Sequence, residues 1–157
     1  MSATARLEPP DEAAGGSLYE RDFYTWAMRQ ATLLREGRFE ELDADNVAEE
    51  IESLGRTEAR ELRSSFRVLI NHLLKWQFQP RRRSKSWRNT IGRERDNAPL
   101  ILKENPGLKP RCSDLFAEAY RLARKDAMRE SGLRLDTFPA ECPYSLERAL
   151  DEEFWPD

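Results

Sequence analysis

Apolar residues recur at intervals of three and four along most of the chain, which is the spacing of one face of an α-helix. No segment alternates apolar and polar residues with the period of a β-strand. The pattern predicts an all-α fold, a helical bundle of four to five helices joined by short loops. Residues 1–16 lack the pattern and contain several Pro and Gly residues. We expect them to be a disordered tail before one domain at 17–157.

The longest predicted element is one central helix of about 30 residues, which would be about 45 Å long. Asp45 or Asn46 is expected to cap its N-terminus, and Gly55 is the expected site of a bend. A single register of apolar positions runs through it and defines its seam: Val47, Ile51, Leu54, Leu62, Phe66, Leu69, Leu73 and Trp76.

The remaining helices are bounded by familiar start and stop signals. Gly37 and Gly132 are expected to end the first and fourth helices, and Pro99 is expected to make the third kink or restart. The predicted positions are residues 17–36, a third helix capped by Ser86, a fourth from Asn105-Pro106 to Ser131, and a short last helix carrying Leu146, Leu150 and Phe154.

Composition and charge narrow the functional classes. Charged residues make up 35% of the 157, yet the formal net charge is only −3, so no global attraction to nucleic acid or anionic membranes is expected. No apolar run approaches a membrane span, and the first residues do not form a signal peptide. Neither Cys112 nor Cys142 has a neighbouring Cys or His at the spacing of metal ligands. We expect reduced thiols and a cytoplasmic protein.

Most catalytic chemistries lack the residues that they need. His72 is the only histidine, and no phosphate-binding loop or nucleophile elbow occurs, so we expect neither a metal nor a cofactor. An enzyme or small-ligand binder would have to use a pocket near His72 and Trp76, with His72 as its only histidine general base.

A basic loop follows the central helix. From Lys75 to Arg95 eight cations stand against one acid, and tryptophans flank them. Positive charge beside aromatic faces suits phosphate contact and base stacking, but ten acids between Glu36 and Glu61 could instead compensate it within the protein or across an oligomer. The candidate binding residues are Arg81, Arg82, Arg83, Lys85, Arg88, Trp76 and Trp87.

Polar residues also interrupt the apolar seams. A buried carboxylate without a partner is costly, so these residues should be paired, exposed at a groove, or functional. A structural role in fixing helix register is the alternative to a site. The seam candidates are Gln30, Glu58, Ser65, His72, Asp126 and Glu130.

The sequence resembles a known family in several segments. HLLKWQFQP at 72–80 and SWRNTI at 86–91 are the main ones, and NVAEEIESLG at 46–55, ESGL at 130–133 and the pairs Phe138-Pro139 and Cys142-Pro143 agree with them. Together they resemble the bacterial family catalogued as domain of unknown function 29. The resemblance implies a bacterial helical bundle and implies no activity.

These observations favour an interaction or adaptor protein, with a protein partner or self-association. Nucleic-acid binding through the 81–88 loop is the second hypothesis, and an enzyme is the third. Membrane binding is not expected.

Overall fold

The computed structural model describes residues 16–157, in two compact units whose boundary follows Ser53. The described residues are all-α, as predicted, with no β-strand. The predicted tail lies outside them, except for Gly16. Six α-helices, joined in part by short 3-10 turns, occur in this order: α1 (Leu18–Arg21), α2 (Phe23–Arg35), α3 (Ala44–Phe78), α4 (Lys85–Glu104), α5 (Cys112–Ser131) and α6 (Leu146–Leu150).

Helix α3 confirms the predicted long helix and extends it to 35 residues. The predicted caps Asp45 and Asn46 are wrong, because the helix already begins at Ala44 and the Asp43 carbonyl accepts a hydrogen bond from the Val47 N–H at 2.9 Å. Gly55 lies inside the helix and does not break it. A single glycine costs about 1 kcal/mol there, too little to stop a helix with strong formers on both sides.

The N-terminal unit, described from residue 16 to Ser53, contains α1, α2 and the start of α3. The single helix predicted for residues 17–36 is wrong, since the chain breaks it at Asp22 (φ −149°, ψ 81°). The Asp22 carboxylate accepts a hydrogen bond from the Thr25 N–H at 3.0 Å and caps α2. A short acidic side chain favours this capping geometry over a place inside a helix.

The C-terminal unit, residues 54–157, is built around an apolar core shared by α3, α4 and α5. Phe66 and Phe116 pack edge to face with ring centroids 5.4 Å apart. The core ends toward Leu54, which is 70% exposed although it belongs to the predicted seam. The largest side chains with almost no exposure are Phe66, Phe138, Leu62, Leu69, Ile70, Leu73, Leu74 and Ile91.

Two boundaries of α4 differ from prediction. Ser84 rather than Ser86 is the N-cap, accepting a hydrogen bond from the Trp87 N–H at 3.2 Å. The restart at Pro99 is also wrong, because α4 continues to Glu104. Proline removes one backbone donor there, and the exposed position of its ring leaves the rest of the helix intact.

The ends of the last two helices differ as well. The segment from Pro106 to Arg111 is a 3-10 turn, so α5 begins at Cys112. It ends at Ser131, and Gly132 caps it as predicted. Helix α6 ends at Leu150. Phe154 was predicted to lie on this helix, but it lies outside it. Within residues 16–157 no helix is both long and apolar enough to cross a bilayer.

Two glycines provide a matched test of the helix boundaries. A Cβ on Gly55 meets nothing within 4 Å, so Gly55→Ala should stabilise the protein by roughly 0.5–1 kcal/mol through helix propensity. Gly132 has a φ of 74°, so Gly132→Ala should destabilise it by roughly 1 kcal/mol. Urea denaturation measures both. Equal effects of the two substitutions would contradict the assignment of Gly132 to a left-handed cap.

Candidate functional site

Two arginines of the basic loop are engaged inside the C-terminal unit. The Arg83 guanidinium lies over the Trp76 ring at 5.1 Å, and its Nε donates to the Trp76 carbonyl at 2.9 Å. Arg88 lies 5.4 Å from the Trp76 ring and 4.9 Å from the Trp155 ring. The two indoles are themselves in contact, with centroids 4.7 Å apart. The predicted binding residues Trp76, Arg83 and Arg88 therefore come together, but around the protein's own Trp155.

Arg95 completes this cluster from within α4. It is 4% exposed, and it donates to the backbone carbonyls of Ala149 (2.9 Å), Glu152 (3.3 Å) and Phe154 (2.6 Å). Its guanidinium also lies 5.1 Å from the Trp155 ring. Burial lowers the pKa of Arg95, which nearby acids only partly offset. We call Trp76, Arg83, Arg88, Arg95 and Trp155 the Arg–Trp clasp.

The clasp holds the C-terminal segment, residues 151–157. Arg83 donates to the carbonyl of Pro156 at 3.3 Å, and Pro156 is buried. Cation–π contacts contribute roughly 0.5–2 kcal/mol each, more where water is excluded. From the sequence alone, Arg83 and Arg88 were interpreted as part of a surface patch. The Trp155-Pro156 pair at the other end of the chain was the signal that they could be used internally.

The other predicted residues of the basic loop remain at the surface. Arg81, Arg82 and Lys85 are exposed, and no described residue forms a hydrogen bond or ion pair with their side chains. Trp87 is half-buried, with the Lys75 ammonium 5.1 Å from its ring. Three of the candidate cations are thus exposed, and the candidate tryptophans Trp76 and Trp87 already have cationic partners.

The seam residues on α3 that face α4 are paired. Ser65 donates to the Glu94 carboxylate at 2.8 Å, and Glu58 accepts from the Asn105 side chain at 3.2 Å. Both members of the Ser65–Glu94 pair are buried. In the sequence, Glu94 was considered only as the one acid of the basic stretch. It lies one helical turn before the buried Ala98, on the same side of α4, and this spacing could have predicted its burial.

The seam residues on α5 are paired with α3. Asp126 accepts two hydrogen bonds from Arg67, at 2.5 and 2.7 Å. Glu130 accepts from the buried Lys75 ammonium at 2.5 Å and from the Asn71 amide at 3.1 Å. Burial alone would raise the pKa of Glu130, but the hydrogen bonds from Lys75 and Asn71 outweigh it and lower that pKa.

His72 lies beside this group without joining it. Its Nδ1 donates to the Val68 carbonyl at 2.8 Å, one turn earlier in α3. Burial lowers the pKa of His72, and the nearby Lys75 adds to the effect while Glu130 opposes it. Among the described residues no carboxylate accepts a hydrogen bond from the imidazole, and the Val68 carbonyl sets its orientation.

A cleft of about 390 Å³ lies in the C-terminal unit, and its lining does not include His72 or Trp76. Val68 and Ile101 provide apolar surface, and Glu94 lies in its wall. The Glu94 carboxylate already accepts from Ser65, and Arg93 donates to its other oxygen at 3.0 Å. Two polar groups in the wall of the cleft, Ser65 and Glu94, thus pair α3 with α4.

Gln30, the remaining seam candidate, is a structural residue of the N-terminal unit. Its side-chain oxygen accepts from the Asp43 backbone N–H at 2.8 Å, and the Trp26 indole donates to the Asp43 carboxylate at 2.9 Å. These bonds fix the entry into α3. Hydrogen bonds from Asn46 and Trp26 hold the pKa of Asp43 below its ordinary value, despite the opposing effect of its burial.

Helix α2 exposes an apolar surface next to Trp26 and Leu33, which are both buried. Tyr24 is 74% exposed and Leu34 is 43% exposed. At about 100° per residue the apolar residues on this side cover an arc of roughly 140°. The Phe23 ring also contacts the Trp26 ring, with centroids 5.5 Å apart, so the exposed surface borders the buried face of the helix. The outer face of α2 consists of Phe23, Tyr24, Ala27, Met28, Ala31 and Leu34.

One protein-family model matches the chain over residues 18–155, and its description is a domain of unknown function, DUF29. The protein belongs to the DUF29 family. The match confirms the resemblance seen in the sequence, and it spans both the outer face of α2 and the residues of the Arg–Trp clasp. No curated protein and no solved structure is significantly similar to this DUF29 chain.

The Arg–Trp clasp of the DUF29 protein predicts a large effect of one buried residue. Arg95→Leu leaves three backbone carbonyls without their donor and should destabilise the fold by roughly 3 kcal/mol. Arg95→Lys should recover only part of this, because an ammonium cannot reproduce the planar fork. Arg82→Leu is the matched control and should stay within about 0.5 kcal/mol. Denaturant unfolding followed by tryptophan fluorescence measures all three, and a neutral Arg95→Leu would disprove the clasp.

His72 should make stability depend on pH. The unfolded imidazole titrates near pH 6.5 and the folded one at lower pH, so the unfolded state binds the proton first. Stability should be complete above about pH 6.5 and decrease as the pH falls below it. His72→Gln should remove this component.

The same residue allows a test of its structural role. His72→Ala should cost roughly 1–3 kcal/mol at pH 7.5, and His72→Gln less, since an amide can still donate to the Val68 carbonyl. An Ala variant as stable as the wild type would argue that His72 is kept for a function.

Proposed function

We propose that this DUF29 protein is a protein-interaction module whose outer face of α2 docks a helix of its partner. One observation carries the proposal. Of the nine large apolar side chains exposed in the described residues, six belong to the N-terminal unit. Such a concentration of exposed apolar surface is typical of interaction sites rather than of a free surface. The six are Phe23, Tyr24, Met28, Leu34, Phe39 and Ile51.

Charge specifies the kind of partner helix. Helix α2 contains no acid, and at about 100° per residue Arg35 lies within the arc of the outer face, whereas Arg29 lies outside it. An apolar surface beside positive charge favours an amphipathic helix with acidic residues next to its apolar seam. Such a helix would bury the aromatic rings of Phe23 and Tyr24, and aromatic side chains contribute strongly to helix docking.

The nucleic-acid hypothesis has less support. It combined a cationic loop with exposed aromatic rings, yet Trp76 is buried beneath Arg83 and Arg88. Arg81 and Arg82 can still contact phosphates, but of the two candidate tryptophans only the half-buried Trp87 is left for base stacking. Protein docking is therefore the function that we propose. Since Cys112 and Cys142 are free thiols, we also propose that the module works in the reducing cytoplasm.

Site-specific photo-crosslinking tests the docking face in the native cell. A photoreactive phenylalanine analogue at position 24 should give one adduct of defined mass, and mass spectrometry should place the crosslink on an acidic amphipathic helix of the captured protein. The analogue at Thr32, about 80° from Tyr24 and on the polar side of α2, is the control and should give none. Equal labelling from both positions, or no adduct from position 24, would refute the proposal.

A further inference from the structure

The cleft between α3 and α4 has a buried acid in its wall. Helix α3 lines it with residues between Thr57 and Val68, and α4 contributes Glu94, Asn97 and Ile101. Its volume of about 390 Å³ lies within the range of small-ligand sites. The side chain of Glu94 is only 9% exposed. Glutamate is seldom buried this deeply unless it is paired, so the partners of Glu94 decide what the cleft can bind.

The two carboxylate oxygens of Glu94 have different surroundings. Oε1 accepts a hydrogen bond from the Arg93 Nε at 3.0 Å, and Arg93 does not line the cleft. Oε2 accepts from the Ser65 hydroxyl at 2.8 Å and from the Asn97 amide at 3.4 Å. Ser65 and Asn97 both line the cleft. Oε2 is therefore the oxygen on the cleft side.

On the cleft side the donors to Glu94 are neutral, and one of them is weakly held. Among the described residues Arg93 is the one cation that pairs with Glu94, and its side chain is 67% exposed, so water screens much of its charge. A distance of 3.4 Å exceeds the usual length of an N–H···O bond, and Asn97 is exposed. A charged donor that enters the cleft can therefore replace the Asn97 amide on Oε2.

Apolar surface extends along the cleft on both sides of this carboxylate. Val68 lies one turn from Ser65 on α3, and Ile101 lies two turns, about 10 Å, beyond Glu94 on α4. The rim residues Arg60 and Glu61 have opposite charges and add no net charge. The arrangement is complementary to a molecule with one positive charge at the end of a hydrocarbon chain.

We propose that the cleft between α3 and α4 binds a free primary amine on an apolar chain. Its ammonium group lies on Glu94 Oε2, and its chain runs along the cleft toward Ile101. An ammonium has three donors, and the Asn97 side-chain oxygen, to which no described residue donates, accepts a second one. All lining residues belong to the C-terminal unit, so this site is separate from the docking face of α2 and does not rest on it.

Isothermal titration calorimetry of the full chain with alkylamines tests the proposal. Hexylamine, which is positively charged at pH 7, should saturate one site in the millimolar range or below. Hexanol has the same chain without the charge and should bind about tenfold more weakly. Each methylene that is removed from the amine should weaken binding by about two- to fourfold. Hexanol that binds as tightly as hexylamine, or hexylamine that does not saturate, would overturn the proposal.

The Glu94→Gln variant tests the carboxylate itself. Its amide oxygen can still accept from Ser65, so the contact between α3 and α4 is kept. The variant should lose about tenfold in affinity for hexylamine and bind hexanol as wild type does. Glu104→Gln, an exposed acid of α4 outside the cleft, is the matched control and should bind like wild type. Unchanged amine binding by Glu94→Gln contradicts the site. If circular dichroism shows that this variant is misfolded, the comparison of hexylamine with hexanol on wild type decides.

Two further measurements locate the site and identify the source of the ammonium. In NMR spectra hexylamine should shift the amide signals of Ser65 and Asn97, and shifts confined to other parts of the chain would refute the location. Nα-acetyl-lysine amide presents an ammonium on the four-carbon lysine stem. It should bind more weakly than pentylamine. Tighter binding would overturn the free amine in favour of a lysine side chain from another protein.

Discussion

Buried polar groups on α3 must find partners on other helices, and this requirement sets the arrangement of the C-terminal unit. Apolar contacts between helices tolerate small shifts, whereas a shift of one turn would leave the Glu94 carboxylate without Ser65. The Arg67–Asp126 ion pair acts in the same way between α3 and α5. The apolar core supplies most of the stabilisation, and these pairs determine which residues face each other.

The Arg–Trp clasp applies the same rule to an extended segment. Residues 151–157 contain no regular hydrogen-bonding ladder, so their carbonyls need donors from elsewhere. Arg95 supplies two of these bonds, to Glu152 and Phe154, from one buried guanidinium that also bonds Ala149 in α6, and Arg83 adds a third at Pro156. A cluster of arginines is therefore consistent with a protein of net negative charge that uses part of its basic loop internally.

The sequence predicted the helices well because their periodicity is a local property. The periodicity predicted that α3 is one long helix and that Gly132 caps α5, and it identified the polar residues among the apolar seam positions. Asp22 escaped prediction because an acid inside an apolar pattern can either cap a new helix or lie on a continuous one. The distant partners of Arg83 and Arg88 escaped it because Pro156 and Trp155 lie about 70 positions away in the sequence, and no spacing rule records such contacts.

The N-terminal unit has too small a core to explain its own apolar composition. From residue 16 to Ser53 only Trp26, Gln30 and Leu33 are buried, and one of these is polar. Units this small rarely bury enough surface to fold without a metal, a disulfide or a partner. The described residues of this unit contain no cysteine, so a disulfide cannot supply that stabilisation. The docking that we propose would cover the apolar arc on α2 that extends beyond Trp26 and Leu33, and stability and association would then be gained in the same step.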